Sequence, residues 1–442
     1  MIKRAWLLLI VLALASGCQA LAGDEPARPA DWQPPGFADT LVANVELPTA
    51  LAFTPDGRLL ITTQPGVLHV YRGGELLPRP ALDLSALVCT ERERGMLGVA
   101  VDPQFAANHF VYLYYTFKKF GGCDIQSPKA PVNRVSRFTL PDGNAIDPAS
   151  ESVLVDNIPS YGGTHNAGDL KFDRDGYLYI SVGDGGRDYA DRSDSSSLNQ
   201  AARDQNILLG KILRITTDGG IPPTNPYQGP DSAPCRLTGR TEPGKKCRET
   251  FAWGLRNPFR LAFDPNAAET RFFINVTGQG AWEAIDLGQA GADYGWNIRE
   301  GHCARDSTTD CGPPPPGITN PIYDYVHGEC GAITGGAFVP RGVWPADYDG
   351  AYLFGDFICG KIFTLTPDRA SGYARGELRT GLGAASVVTM IFGPDGAGQA
   401  LYYTSYAGGG QVRRIAYSCA DCPHPPTSLS GVGFFSQRGG GK

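Results

Sequence analysis

The sequence predicts an all-β protein with the architecture of a six-bladed β-propeller. Its 442 residues include 57 glycines and 35 prolines, a large share that indicates many turns and few long helices. Hydrophobic residues make up 42% of the chain, which is enough for a sizeable core. A hairpin-like pattern also recurs along most of the chain, and repetition of one small β unit is typical of a propeller.

The repeated unit consists of an apolar stretch, a turn rich in Asp, Asn or Gly, and a second aromatic and aliphatic stretch. This order predicts strand, turn, strand in every copy. Two separate β-sandwiches are the alternative, but they do not explain one unit repeated along the whole chain. The six copies are residues 51–63, 97–116, 170–184, 261–276, 336–356 and 390–405.

Residues 1–17 predict a lipoprotein signal peptide. Lys3 and Arg4 precede an apolar run of eleven residues, which is too short to span a bilayer comfortably. The run ends in Ala-Ser-Gly-Cys, which resembles a bacterial lipobox and implies acylation of Cys18. An ordinary signal peptide with an accidental cysteine is the alternative. Residues 18–35 then predict a flexible tether.

The expected location is the bacterial cell envelope, as an outer-membrane lipoprotein facing the periplasm. Gln19 rather than Asp follows Cys18, which favours the outer membrane. Contact with the membrane is expected through the lipid anchor only, because no later stretch reaches about 18 apolar residues. The net charge of −6 and the lack of a basic stripe give a nucleic-acid role no electrostatic support.

Ten cysteines remain after Cys18, and an even number in an exported chain indicates disulfides. Connectivity cannot be derived from the sequence. Short separations favour 235–247, 303–311 and 419–422, and 89–123 with 330–359 would complete five pairs. The last short pair is a Cys-x-x-Cys motif followed by Pro423, so it lacks the haem-attachment signature, and zinc binding is its weaker alternative.

The propeller is expected over residues 36–417, followed by a Gly- and Pro-rich tail at 418–442. The loops of a propeller converge at the mouth of its central channel, where a site is expected. His165 follows a Gly-Gly turn and precedes a strand, and Asp184 lies at the far end of the same hairpin. A carboxylate beside an imidazole orients it as a general base. A solvated or structural histidine is the alternative.

Two further stretches carry candidate binding residues. In WGLRNPFR (253–260), Arg256 and Asn257 precede a proline, and an arginine can donate two hydrogen bonds to an anionic or quinone oxygen. The alternative is an arginine that ties neighbouring loops together. The glycine-rich stretch 277–301 includes Gln279, Glu283 and Asp286, which are oxygen-bearing residues suited to calcium.

These motifs resemble the soluble quinoprotein sugar dehydrogenases, a glucose/sorbosone dehydrogenase-like family, over residues 36–417. The resemblance implies a six-bladed propeller, which agrees with the repeat count. The stretches that carry it are 93–105, 165–186, 208–215, 253–260, 279–297 and 352–363.

The resemblance also implies a cofactor, a metal and a reaction. Pyrroloquinoline quinone (PQQ) is expected at the channel mouth beside a calcium ion. His165 falls on the histidine that takes the proton of a sugar hydroxyl during hydride transfer, and Asp184 falls on the aspartate that orients it. Four further residues fall on ligand positions: Arg256 and Asn257 at the quinone, and the backbone carbonyls of Gly280 and Ala281 at the calcium.

The sequence departs from the better-studied quinoproteins at the residues that face the cofactor carboxylates. Those members carry a lysine in the fifth blade and two arginines before the turn of the sixth. Here Lys361 lies near the first position but is displaced, and residues 385–396 contain no arginine. The fourth- and fifth-blade motifs are more similar to the branch that includes hedgehog-interacting-protein-like propellers.

Three functions therefore remain open from the sequence. The first is PQQ-dependent, calcium-assisted oxidation of an aldose or related sugar, with an unidentified electron acceptor. The second is a non-catalytic propeller that binds carbohydrate or protein at the same mouth. The third is a calcium-dependent lactonase-type hydrolase, which needs several carboxylates around one metal, a set that the sequence does not display.

Overall fold

A computed structural model describes residues 31–124, 129–187 and 199–418. The predicted signal peptide, Cys18, the pair Cys419–Cys422 and the tail after residue 418 lie outside the described residues. Trp32, near the end of the predicted tether, exchanges hydrogen bonds with Thr380. That end of the tether therefore lies against the body of the protein. No helix in the described ranges is long and apolar enough to cross a membrane.

Strands make up almost all of the regular structure. The first ten are β1 (Phe37–Asn44), β2 (Pro48–Phe53), β3 (Leu59–Thr63), β4 (Val67–Arg72), β5 (Glu75–Leu76), β6 (Leu82–Asp83), β7 (Met96–Val101), β8 (Phe110–Phe117), β9 (Val132–Thr139) and β10 (Ser152–Pro159). The next ten are β11 (Leu170–Phe172), β12 (Leu178–Val182), β13 (Lys211–Ile215), β14 (Ser232–Ala233), β15 (Lys246–Cys247), β16 (Thr250–Trp253), β17 (Pro258–Phe263), β18 (Phe272–Val276), β19 (Trp282–Leu287) and β20 (Arg299–Glu300). The last nine are β21 (Cys303–Ala304), β22 (Tyr323–Val326), β23 (Ile333–Phe338), β24 (Tyr352–Asp356), β25 (Lys361–Asp368), β26 (Gly372–Arg379), β27 (Ser386–Asp395), β28 (Gly398–Ser405) and β29 (Gln411–Tyr417).

Helical structure in the described residues is limited to single turns: the helix α1 (Phe105–Asn108) and the 3₁₀ turns Pro148–Ser150, Ala346–Tyr348 and Ala407–Gly409.

Six sheets form the blades, and the predicted six-bladed β-propeller is confirmed. Blade 1 is β2-β3-β4-β5 with β6 on β4, blade 2 is β7-β8-β9-β10, and blade 3 is β11-β12-β13-β16. Blade 4 is β17-β18-β19-β22, blade 5 is β23-β24-β25-β26, and blade 6 is β27-β28-β29-β1. Strand β1 pairs antiparallel with β29, so the N-terminal strand completes the last blade and hydrogen bonds close the ring.

Each repeat predicted from the sequence forms the inner hairpin of one blade, from β2–β3 in blade 1 to β27–β28 in blade 6. The innermost strands pack around the ring, and β2 of blade 1 contacts β27 of blade 6. The second strand of the hairpin is buried on both faces, as in β3, β12, β18 and β24. This burial explains why those stretches are continuously apolar rather than alternating.

The hydrophobic core is divided among the interfaces between blades. Six clusters of buried side chains are present, and each draws its residues from two neighbouring blades. In one of them Leu60 of blade 1 packs with Val99 and Leu113 of blade 2. Because every blade is buried against two neighbours, the ring as a whole, rather than any one blade, excludes water from the apolar residues.

Four of the five disulfides expected from the sequence are present. They are Cys89–Cys123, Cys235–Cys247, Cys303–Cys311 and Cys330–Cys359.

Candidate functional site

A cavity of about 270 Å³ opens where the innermost strands of the six blades begin, and we call it the central cavity. This end of the channel is called the upper face. Every blade contributes to the lining, for example Thr49 from blade 1, Ala167 from blade 3 and Val388 from blade 6. The candidate site therefore lies at the channel mouth, where the fold predicts one.

His165 and Asp184 form a hydrogen-bonded pair beside this cavity. Nδ1 of His165 lies 2.7 Å from Oδ1 of Asp184, whose side chain is fully buried. Trp296 donates its indole N–H to the other carboxylate oxygen at 2.8 Å, and the Gly186 N–H donates to Oδ1 at 2.8 Å. Burial opposes ionisation of Asp184, but His165, Arg256 and these bonds hold its pKa below the usual value. An ionised Asp184 makes Nδ1 the donor and leaves Nε2 of His165 for another contact.

The backbone at His165 is held in an unusual conformation. His165 and Ala167 have φ angles of 51° and 49°, in the left-handed region that non-glycine residues rarely adopt. The His165 N–H donates to Glu93 at 2.7 Å, and the Glu93 N–H donates to the Gly163 carbonyl at 3.0 Å. Backbone strain of this kind persists where surrounding contacts fix it, commonly at functional sites.

Gly183, at the end of β12, packs against the same segment. A Cβ atom at this position would lie 1.9 Å from the carbonyl oxygen of His165 and 3.1 Å from Oδ1 of Asn257. Only glycine fits this close approach. The hairpin that carries Asp184 is thereby held directly against the backbone of His165.

Arg256 and Asn257 are adjacent in sequence but face different spaces. Asn257 lines the central cavity, and its Oδ1 is buried with no hydrogen-bond partner among the described residues. Arg256 lines a smaller neighbouring space of about 30 Å³, the side cavity. It donates to the Thr277 carbonyl at 2.9 Å and to Oε1 of Gln279 at 3.1 Å. The interpretation of Arg256 as a loop tie therefore holds for the described contacts.

The loop between β18 and β19 carries the predicted calcium ligands. One oxygen of Glu300 accepts four successive backbone N–H groups of this loop at 2.7 to 3.1 Å. The four donors hold the pKa of Glu300 low against the effect of burial, which raises it. Of the two predicted carbonyls, that of Ala281 accepts the N–H of His327 at 2.9 Å. The Gly280 carbonyl has no partner within the described part of the chain.

The sequence predicts that one cation receives oxygen ligands from the stretch that contains Gln279, Glu283 and Asp286. Glu283 does not fit this prediction. Its carboxylate is fully buried in β19, where it contacts Nε2 of His327 at 2.6 Å and accepts the Ile333 N–H at 2.9 Å. Asp286 lies further along β19 and lines the side cavity, and burial and Asp324 raise its pKa. These side chains are fixed by strand β19, and the Glu283 carboxylate is taken up by protein contacts, which include the N–H of Gly278 in the loop at 3.2 Å.

The structure does not supply the lysine and arginines that face the cofactor carboxylates in the better-studied quinoproteins. Lys361 forms ion pairs with Glu329 and Glu377 at 3.2 and 3.4 Å, and it does not line the central cavity. From β27 only Val388 lines the cavity, so this wall is apolar.

The pair formed by His327 and Glu283 gives a prediction for stability. The hydrogen bond that His327 donates to Glu283 raises the pKa of His327 in the folded protein, although burial opposes the effect. The fold therefore favours the protonated ring, and this contribution is complete below the usual histidine value of about 6.5. We expect it to be lost as the pH rises through the raised pKa, so the unfolding midpoint should fall in this range. Melting curves from pH 6 to 9 should decline less steeply for His327→Gln, and equal slopes would contradict the assignment.

A family model described as Glucose / Sorbosone dehydrogenase matches residues 45–404. The chain belongs to the glucose/sorbosone dehydrogenase family. This family is one of sugar dehydrogenases that includes quinoproteins. A solved glucose dehydrogenase superposes with a TM-score of 0.70 at 25% identity and covers 86% of this chain and 100% of that one.

The curated relatives of this glucose/sorbosone dehydrogenase family member include proteins named as enzymes and proteins named as binding proteins. Quinoprotein glucose dehydrogenase B of Acinetobacter calcoaceticus is 26% identical over 311 residues, 65% of this chain and 60% of the relative. Hedgehog-interacting protein of Mus musculus is 28% identical over 246 residues, 54% of this chain and 33% of the relative. The chain spans 50% to 60% of the length of the first curated relatives it matches. Family membership alone therefore leaves open whether this member is an enzyme.

Sequence reasoning missed several residues of this family member's site. Glu93 and Trp296 lie within motifs quoted above, but nothing in the motifs indicated that they hold His165 and Asp184. Glu300 follows the glycine-rich stretch without a distinguishing pattern. Arg92 and Arg260 line the central cavity, and Arg260 ends the WGLRNPFR motif. The WGLRNPFR motif therefore contains a second arginine, Arg260, that the sequence alone could have indicated as a candidate site residue.

Proposed function

We propose that this protein oxidises an aldose or related sugar with PQQ as cofactor and calcium as the assisting metal. The observation that carries the proposal is the His165–Asp184 pair, in which His165 is two residues from Ala167 in the lining of the central cavity. A buried carboxylate that orients an imidazole suits general-base catalysis near neutral pH. Sugar oxidation needs such a base to take the hydroxyl proton.

The residues around the central cavity fit a flat, anionic quinone. The volume of about 270 Å³ is slightly below the range for small-molecule sites, which begins at about 300 Å³. Asn257 lines this region, and its buried amide oxygen has no hydrogen-bond partner among the described residues. Arg92 and Arg260 contribute two positive charges to the lining and Glu93 one negative charge, so the lining suits an anion.

In this proposal PQQ, when bound, supplies an electron-poor carbonyl that accepts hydride from the sugar carbon. His165 takes the hydroxyl proton at Nε2, and Asp184 stabilises the imidazolium that forms. Asn257 contacts the cofactor through its amide. Arg256 faces the side cavity, so in this proposal it acts on the quinone site from there, by holding Gln279 and Thr277 in place and by adding positive charge near Asp184.

Calcium would be held by the carbonyl oxygens of Gly280 and Ala281, which are hard ligands of the kind that calcium prefers. The Ala281 carbonyl retains one lone pair after its bond from His327. Glu300 gathers the N–H groups of this loop on one side, which leaves the carbonyls for the other.

We also propose that acylated Cys18 anchors the protein in the outer membrane, facing the periplasm, where an unidentified acceptor reoxidises the cofactor. Mass spectrometry of the mature N-terminal peptide tests this part, because an unmodified Cys18 would exclude the anchor.

The test of the function is reconstitution of the purified protein with PQQ and calcium, with dye reduction followed over a panel of aldoses. We expect turnover that needs both additions and is lost on chelation of calcium. Protein that binds PQQ without turnover on any sugar would contradict the enzymatic proposal.

A second candidate is a non-catalytic propeller that binds carbohydrate or protein at the same mouth. The pairing of Lys361 with Glu329 and Glu377, together with the apolar wall at Val388, favours this candidate because the cofactor carboxylates lose those anchors. Glycan binding without redox activity in the reconstitution experiment would select it.

A further inference from the structure

Arg260 crosses the central channel. It lies in β17 of blade 4, and its Nη2 donates at 2.8 Å to the carbonyl of Thr49 in blade 1, which is opposite blade 4 in a ring of six. Nη1 donates to the Phe259 carbonyl at 3.0 Å. Below this bridge lies a second, mainly apolar cavity of about 420 Å³ lined by all six blades. The guanidinium therefore forms the floor of the central cavity.

The charge of Arg260 is poorly compensated. The residue is 3% exposed, and its Nε has no hydrogen-bond partner among the described residues. Both of its hydrogen bonds go to neutral carbonyls. Buried charges are normally paired, because an unpaired one costs several kcal/mol relative to water.

Among the described residues, no carboxylate forms an ion pair with Arg260. Burial lowers its pKa, and Asp169 and Tyr406 act against this effect. Asp169 already accepts the Leu261 N–H at 2.8 Å and lies 3.4 Å from Nζ of Lys171. Burial raises the pKa of Tyr406 to about 12, so its phenol is neutral near pH 7. An anion entering the cavity would complete the charge balance.

We propose that Arg260 binds a carboxylate of the molecule that occupies the central cavity. The carboxylate then meets a cation at the cavity floor instead of the arginines absent from residues 385–396. This inference rests on the proposed function, in which the carboxylate belongs to PQQ. The guanidinium offers planar, paired donors, the geometry that a carboxylate requires.

The test is equilibrium binding of PQQ to the apoprotein without calcium or sugar, followed by tryptophan fluorescence. Arg260→Gln is expected to weaken binding at least tenfold, and Arg260→Lys less. Arg271→Gln is the matched control, because Arg271 lies in the same blade, pairs with Asp264 and does not line the central cavity. Thermal unfolding of each variant checks that it is folded.

A neutral PQQ trimethyl ester separates charge recognition from a structural brace. Wild type should bind the acid at least tenfold more tightly than the ester, a comparison that needs no variant. Arg260→Gln should lose affinity for the acid only. Equal affinity of wild type for acid and ester, or equal losses for both ligands in the variant, would overturn the proposal.

Pyridine-2,6-dicarboxylate distinguishes failure of the inference from failure of the proposed function. If wild type binds this aromatic dicarboxylate through Arg260 but does not bind PQQ, the anion site stands and the quinone function fails. If PQQ binds equally to wild type and Arg260→Gln, the inference fails and the quinone function stands. Wild type that binds none of these probes, and binds no PQQ when calcium is added, contradicts both.

Discussion

Replacing His165 by glutamine is expected to reduce sugar oxidation by about 10²- to 10⁴-fold, the usual contribution of a positioned general base. Glutamine keeps a polar side chain but cannot accept the hydroxyl proton. Binding of PQQ should be unchanged, since Asn257 and Arg260, rather than His165, line the cavity. Steady-state dye reduction and PQQ titration on the same preparation measure the two effects.

His302 provides the matched control for this substitution. Its Nδ1 lies 2.6 Å from Asp324, so it forms a second histidine–carboxylate pair, but it packs against Trp282 of the side cavity, whereas His165 is two residues from Ala167 in the lining of the central cavity. His302→Gln should leave turnover within about twofold. Unchanged turnover in His165→Gln, or an equal loss in both variants, would remove His165 from the mechanism.

The lowered pKa of Asp184 predicts how the His165–Asp184 pair responds to pH. Because its pKa lies below the usual value, its stabilising contribution is present above about pH 4 and is lost as the pH falls through the lowered pKa. Titration of Asp184 therefore does not limit activity near neutrality. Asp184→Asn should lower kcat more than it raises KM, because the ring loses its orienting acceptor while the cavity lining is retained.

Replacing Glu300 by alanine is expected to abolish the stabilisation of the protein by calcium. Four backbone N–H groups of residues 279–282 would lose their shared acceptor, and that of Ala281 is buried, where an unsatisfied donor costs about 1–3 kcal/mol. The loop that carries the Gly280 and Ala281 carbonyls then has no fixed conformation. In wild type, calcium at one hundred times its dissociation constant should stabilise the fold by about 2.7 kcal/mol.

Unfolding curves with calcium and with chelator measure this effect. Glu329→Gln is the control, because Glu329 is an exposed carboxylate paired with Lys361 and does not contact the loop. Glu300→Gln, which keeps an oxygen acceptor without the charge, should retain part of the calcium response. A full calcium response in Glu300→Ala would refute the assignment of this loop to the metal.

Much of the candidate site followed from residues close in sequence. His165 and Asp184 are 19 positions apart on one hairpin, so the predicted turn alone placed them together. The four disulfides found in the structure join cysteines no more than 34 residues apart. In contrast, the sequence could not show that Arg256 and Asn257 face different cavities, because side-chain direction depends on the packing of the neighbouring blade.

The amino-acid sequence by itself determined the blades of this protein, because turn residues and apolar stretches act over a few residues and specify each inner hairpin locally. The packing of the blades into a ring decided which residues far apart in sequence meet. Packing of neighbouring blades brings Trp296 to Asp184 across 112 residues, and closure of the ring brings Arg260 to Thr49 across 211. Contacts over such separations depend on how six blades pack around one axis. The floor of the cavity and its charge are therefore properties of the assembled ring, which no single segment of the chain encodes.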